Sequence, residues 1–261
     1  MKASRILTAV AVLSIPLPAA GDPRGEQIAR DLAARSAGYG DSTAAIEMVM
    51  RDASGRETRR SMRLQVLERP ESDQGDLSLV VFDSPNDVRG TALLSHAGSG
   101  DEADTQWLYL PATRRARRVA GGSRAAAFLG SEFSYEDITG VELGKHSWTL
   151  RGEEACGKAT CYRLETRPRY QDSGYQRREV WLEKGELRPV KIDFYDRRGA
   201  LAKTLTYGAY KKYDGKFWRA HTWSMVNRKT RRATELRFSG YRFKTGLGEG
   251  DFSRTALERA R

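Results

Sequence analysis

The stretch Leu187–Tyr195, LRPVKIDFY, decides the architecture. In it Val190, Ile192 and Phe194 alternate with Lys191, Asp193 and Tyr195. A period of two predicts a β-strand with one apolar and one wet face, because successive side chains leave the pleat on opposite sides. The pattern recurs in both directions along the chain. Upstream it gives Ala44–Arg51, Glu57–Glu68, Gly75–Phe82, Gly90–Ser95, His146–Arg151, Cys161–Arg167 and Tyr175–Glu183. Downstream it gives Leu201–Lys212, Phe217–Asn227 and Arg232–Phe243, with turn formers such as Arg197–Gly199 between them. Met62, Leu64 and Val66 share one side of their strand, Leu77, Leu79 and Val81 share one side of the next, and Thr234, Leu236 and Phe238 do the same near the end. About ten or eleven antiparallel strands follow, each with a single covered face.

Helices are few. Gly25–Ala37 (GEQIARDLAARSA) has Ile28, Leu32 and Ala33 on one face and charges on the other, and Gly38 and Gly40 end it. A helical insertion is expected near Ala125 and a short capped helix at Ser253–Leu257. One strongly curved sheet with so few helices cannot cover its apolar face densely, which predicts a cavity suited to an apolar ligand. No linker or repeat divides the chain, so residues 22–261 form one domain.

The N-terminus carries Lys2 and Arg5, then the apolar run Ile6–Leu17, then Ala19-Ala20-Gly21. That order is a signal peptide, 1–21, with cleavage after Gly21 or one residue earlier, and no cysteine nearby to take a lipid. The expected location is the periplasm, with the mature chain exported and unlipidated. Cys156 and Cys161 are the only cysteines. In an exported chain they are expected to form a disulfide pinning a hairpin, since a redox or metal site would want tighter spacing and further ligands. The formal charge is +11, and removal of Lys2 and Arg5 with the leader leaves +9. Such a surplus favours anionic surfaces. Export excludes nucleic acid and leaves an anionic membrane surface or an acidic protein as the partner.

Enzyme signatures are missing: no G-x-S-x-G, no H-E-x-x-H, no phosphate-cradling loop. His96, His146 and His221 stand in separate strands or turns, and the acidic loop Asp101, Glu102, Asp104 has no calcium-loop spacing, so neither a metal nor another cofactor is expected. Glu132, Glu136 and Asp137 are the paired carboxylates nearest to acid–base work, but Phe133 and Tyr135 between them suit a structural turn. Arg114, Arg115, Arg117 and Arg118 fit either phosphate binding or pairing with that acidic turn, and the sequence leaves both open.

Three motifs carry a resemblance. Gly90-Thr91-Ala92-Leu93-Leu94, then Leu108-Tyr109-Leu110-Pro111-Ala112 with Arg117-Arg118, then Phe128-Leu129-Gly130-Ser131-Glu132-Phe133-Ser134-Tyr135-Glu136-Asp137 occur in order and at family spacing. The chain resembles the periplasmic outer-membrane lipoprotein-sorting protein family, LolA-like carriers often found beside resistance-nodulation-division (RND/MMPL-type) exporters. The one departure is Glu132 where the family has aspartate. The resemblance implies an unclosed antiparallel β-barrel of about eleven strands with a helical lid. It also implies carriage of a lipid or acylated lipoprotein without chemistry, alongside an inner-membrane exporter of that type. An accessory protein that binds the exporter's periplasmic domain, its cavity packed shut, is the alternative.

The expected cavity lining is Leu64, Val66, Leu79, Val81, Leu94, Val190, Ile192, Phe194, Leu236 and Phe238. The expected lid is Gly121–Phe128, held by Glu132, Tyr135 and Asp137 through Arg117 or Arg118, with Phe128 at its end.

Overall fold

The computed structural model describes residues 21–69, 75–98, 102–139 and 143–260. The expected signal peptide lies outside the described residues except for Gly21. Thirteen strands form a single antiparallel sheet. In chain order they are β1 (Asp41–Arg51), β2 (Glu57–Leu67), β3 (Leu77–Ser84), β4 (Ala92–His96), β5 (Thr105–Leu110), β6 (Arg115–Arg118), β7 (His146–Cys156), β8 (Ala159–Pro168), β9 (Tyr175–Glu183), β10 (Pro189–Asp196), β11 (Leu201–Tyr213), β12 (Phe217–Asn227) and β13 (Ala233–Phe243). Their spatial order is β6-β5-β4-β3-β2-β1-β13-β12-β11-β10-β9-β8-β7, so the sheet is unclosed, with β6 and β7 as its edges. The strand count exceeds the expected eleven. The two strands beyond the eleven are β5, TQWLYL, and β6, RARR, whose arginines carry no apolar alternation and whose place is the sheet edge.

The pairing follows the meander that short turns allow. Among the described residues only β1 and β13 join distant parts of the chain, from Arg51↔Ala233 to Ser42↔Phe243, with a bulge between Thr43 and Ala45. The β7–β8 hairpin is closed by the Cys156–Cys161 disulfide, with Cα atoms 5.8 Å apart.

The two faces of the sheet bury different cores. The inner face carries Ile46, Met48, Met62, Val80, Phe82, Leu93, Trp148, Leu164, Val180, Leu182, Ile192, Phe194, Leu205, Met225, Leu236 and Phe238. The outer face of the β3–β5 region carries Leu77, Leu79, Val81, Leu94 and Tyr109, covered by Phe252 and Leu257 from the C-terminal segment. β3 reads LSLVVF, and both of its faces are buried for that reason.

Helix α1 (Pro23–Ser36) lies on the inner face against β7. Asp22 caps it, accepting from the backbone N–H of Arg24 at 3.0 Å and of Gly25 at 2.9 Å, while its own N–H donates to the Trp148 carbonyl at 3.0 Å. Gly25 permits this approach: a Cβ there would sit 2.6 Å from the Trp148 carbonyl oxygen. Gly38 and Gly40, at φ 92° and 74°, turn the chain from α1 into β1 through the left-handed region. The expected insertion is two 3-10 turns, Gly121–Ser123 and Phe128–Gly130, followed by the short helix α2 (Tyr135–Ile138). Ser134 and Asp137 form a capping box at the start of α2. Helix α3 (Arg254–Arg259), capped by Ser253, ends the chain as expected.

Candidate functional site

Between α1 and the inner face of β9–β13 lies a cavity of about 650 Å³. Leu32 and Ala33 of α1 form one wall, and Trp148, Val180, Leu182, Ile192, Phe194 and Leu205 form the opposite one. Aromatic rings complete it: Tyr207, Tyr210, Trp218, Trp223 and Tyr241. Tyr207 and Trp223 meet edge to face with centroids 5.3 Å apart, and Trp223 and Phe238 lie 5.1 Å apart. Burial pushes the phenols of Tyr207, Tyr210 and Tyr241 well up, so they stay neutral in the cavity wall. A volume in this range with mostly apolar walls is the ordinary form of a ligand pocket.

Charged groups that reach the cavity are mostly matched. Arg178 is 3% exposed and donates from Nη2 to Glu136 Oε1 at 2.9 Å. Burial opposes the Arg178 charge, but the Glu136 carboxylate beside it wins and raises its affinity for the proton. Glu136 also accepts from Tyr170 at 2.7 Å, from Ser173 and from the Gly174 N–H at 2.9 Å. Lys145 is buried against Asp104, and burial pulls its ammonium down to about 8. At the rim Tyr39 donates to Asp76 at 2.9 Å, and burial, reinforced by that carboxylate, pushes the phenol up. Burial also raises Asp76 itself.

Of the ten residues expected to line the cavity, Ile192 and Phe194 do so. Leu236 and Phe238 belong to the inner core next to it, and Leu64 packs against that core. Val66 is half-buried on β2. Leu79, Val81 and Leu94 are a correction: they lie on the outer face beneath Phe252 and Leu257. The alternation that singled them out picks a face but does not say which face is inner. Val190 falls at the bulge where Pro189 and Lys191 change register against β9, and it turns toward a small groove by Cys156 and Ala159.

The 121–138 segment is a plug more than a flap. Phe128 and Phe133 are 1% and 0% exposed, and Phe128 packs on Phe82 and Tyr135 at 5.8 and 5.5 Å. The segment folds back on itself, with the Phe128 N–H donating to the Phe133 carbonyl at 2.7 Å. Its anchors are not Arg117 and Arg118, which stand exposed on the edge strand, Arg118 reaching only Thr105 Oγ1 at 3.3 Å. Glu132 instead pairs with Arg232 at 3.2 Å and accepts from Asn227 at 2.8 Å. Asp137 accepts from the Tyr175 hydroxyl at 2.9 Å and lies 3.4 Å from Lys203 Nζ. The Tyr135 carbonyl accepts from Gln106 Nε2 at 3.0 Å. Sequence reasoning missed Arg178, Lys203 and Arg232 because they lie 42 to about 100 residues from their partners, and only the sheet brings them together.

Among the described residues no group of three or more His, Cys, Asp or Glu side chains could hold a metal ion, and no helix is long and apolar enough to cross a membrane. His96 bonds the Phe252 carbonyl at 2.7 Å, and His221 lies between Tyr213 and the Phe238 carbonyl, each at 2.8 Å. His96 thus ties β4 to the C-terminal segment, and His221 ties β12 to its neighbours β11 and β13.

An unclosed antiparallel sheet with a helix over an apolar inner cavity is the LolA-like fold. It is shared with a LolA superfamily protein from Nitrosomonas europaea, 20% identical over 89% of this chain and 98% of that one, at a TM-score of 0.70. A DUF1329 family protein from Desulfovibrio piger is 28% identical over 92% of this chain and all of its own, at a TM-score of 0.85. An outer membrane lipoprotein-sorting protein domain from Vibrio parahaemolyticus is 44% identical over 90% of this chain and 99% of that one, at 0.87. A family model described as an uncharacterized protein matches residues 74–259, and comparison with the curated proteins finds no match. The chain belongs to the family of outer-membrane lipoprotein-sorting protein domains.

Proposed function

We propose that the protein is a periplasmic carrier that holds the acyl chain of a lipid or lipoprotein in the cavity beneath α1 and passes it between membrane partners. The observation that carries this reading is the apolar and aromatic lining of a space of about 650 Å³ reached from the surface. An acyl chain gains about 0.8 kcal/mol for each methylene it buries there, which gives a single chain reversible binding of the kind a carrier needs. The disulfide fits an oxidising compartment, as the periplasm is. Nothing in this role requires a chemical step. Loading or unloading by an exporter of the RND/MMPL type belongs to the same proposal and rests on the family resemblance alone.

The test is binding of a fluorescent fatty-acid probe to the wild type and to Ala33→Trp. Ala33 faces the cavity from α1, so an indole there fills space without burying a charge. Saturable binding by the wild type and its loss in a folded Ala33→Trp protein are the expected results. Absence of binding to the wild type refutes the carrier reading, and equal binding by both places the ligand elsewhere.

A further inference from the structure

A second concavity adjoins the cavity at the C-terminal end of α1. It shares Leu32, Pro189, Tyr210, Trp218 and Arg219 with the cavity, so the two run together at the mouth. The walls of this groove bring five cations, Arg35, Arg188, Lys212, Lys216 and Arg219, against one carboxylate, Glu186. Glu186 is already engaged, with Lys212 Nζ 3.6 Å from its carboxylate. Arg188 pairs with Glu183 at 2.9 Å. Among the described residues Arg35, Lys216 and Arg219 enter no ion pair. Each donates instead to a backbone carbonyl, of Gly185 at 2.7 Å, Ala37 at 2.7 Å and Trp218 at 3.1 Å respectively. Those bonds fix the side chains without neutralising them.

Aromatic rings hold the same cations in place. Arg188 lies 4.5 Å from the Trp218 ring and 5.2 Å from Tyr210, and Arg219 lies 5.0 Å from Tyr39 and 5.4 Å from Phe243. Stacking occupies the face of a guanidinium and leaves its in-plane N–H groups available to an oxyanion. The charged groups deeper in the cavity differ, since Arg178 is matched by Glu136 and Lys145 by Asp104. The surplus of positive charge is therefore confined to the mouth beside α1, where the polar end of a ligand with its chain inside would emerge.

We propose that this groove is the headgroup subsite of the carrier, selecting lipids whose headgroup bears a phosphate and a net negative charge. The proposal rests on the carrier reading and narrows its ligand class. It is tested by displacing the fluorescent acyl probe with three single-chain lipids of equal chain length: lysophosphatidylglycerol, lysophosphatidylcholine and a neutral monoacylglycerol. The anionic lipid is expected to displace the probe at about tenfold lower concentration than the neutral one, with the advantage shrinking as salt rises. Arg35→Gln with Lys216→Gln, two exposed changes outside the cavity lining, is expected to remove most of that advantage and leave displacement by the neutral lipid unchanged. Equal displacement by all three lipids, or an advantage that survives the double substitution, overturns the headgroup proposal while the carrier reading stands. Failure of the probe to bind at all removes both. Titration with inorganic phosphate alone is expected to give no measurable binding, and phosphate binding as tight as that of the anionic lysolipid makes this a free-phosphate site and overturns the proposal.

Discussion

The pair Arg178–Glu136 gives the sharpest prediction, because it ties the plug to β9 and forms part of the cavity wall. Their side chains are 3% and 4% exposed and 2.9 Å apart, so water screens them little. Glu136→Gln keeps the shape but leaves a buried guanidinium without its counter-charge. It also turns an amide N–H₂ toward one of the donors Tyr170, Ser173, Gly174 or Arg178 that the carboxylate accepts from. Removing one partner of a buried pair costs about 3–5 kcal/mol. In a domain of this size that corresponds to a fall in Tm of roughly 6–20 °C. Arg178→Met alone leaves the carboxylate with its three other donors and should cost less. The double variant Glu136→Gln/Arg178→Met should then be more stable than Glu136→Gln alone, because no unpaired charge is left. The assay is urea and thermal unfolding of the wild type, both single variants and the double, followed by circular dichroism. A loss below about 1 kcal/mol for Glu136→Gln, or strictly additive losses in the double, refutes the assignment of this pair as the plug's main anchor.

Asp137→Ala removes the capping box of α2 and the acceptor of the buried Tyr175 hydroxyl, at about 2–3 kcal/mol, whereas Arg117→Ala and Arg118→Ala should stay within about 0.5 kcal/mol; equilibrium unfolding compares the three. Leu257→Ala opens the outer-face core and should cost about 2–5 kcal/mol while leaving acyl-probe binding unchanged, since Leu257 touches the other side of the sheet. Burial holds the His221 imidazole below its ordinary value of 6.5. Its folded state binds fewer protons than the unfolded chain, so its contribution is full above 6.5 and is lost as pH falls from there through the folded value. His221→Gln should flatten that window in a plot of unfolding free energy against pH, and an unchanged slope contradicts the assignment.

The strands were legible in the sequence wherever polar and apolar residues alternate, as in VKIDFY, and α1 was legible from its apolar stripe and the glycines that end it. Two things were not. The sense of each face was hidden in β3, where LSLVVF is apolar on both sides: Val80 and Phe82 point inward while Leu79 and Val81 meet the C-terminal segment. Alternation fixes parity, and which parity is inner depends on what covers the sheet. Long-range charge pairing was hidden as well. The acidic turn 132–137 had arginines close by in sequence, and proximity favoured Arg117 and Arg118, but those residues stand exposed on an edge strand, while the turn's carboxylates are met by Arg178, Lys203 and Arg232. The aromatic wall of Tyr207, Tyr210, Trp218, Trp223 and Tyr241 could have been suspected from the density of rings in β11–β13, a signal that alternation of leucine and valine overshadowed.

The central claim is that the cavity beneath α1 holds an acyl chain. Mass spectrometry of lipids extracted from the wild type and from Ala33→Trp, both purified from a native periplasm, tests it most directly. The account predicts an acyl lipid at near-stoichiometric amount in the wild type and its loss in the variant; a wild-type protein that carries no acylated molecule, or a variant that carries as much, contradicts it.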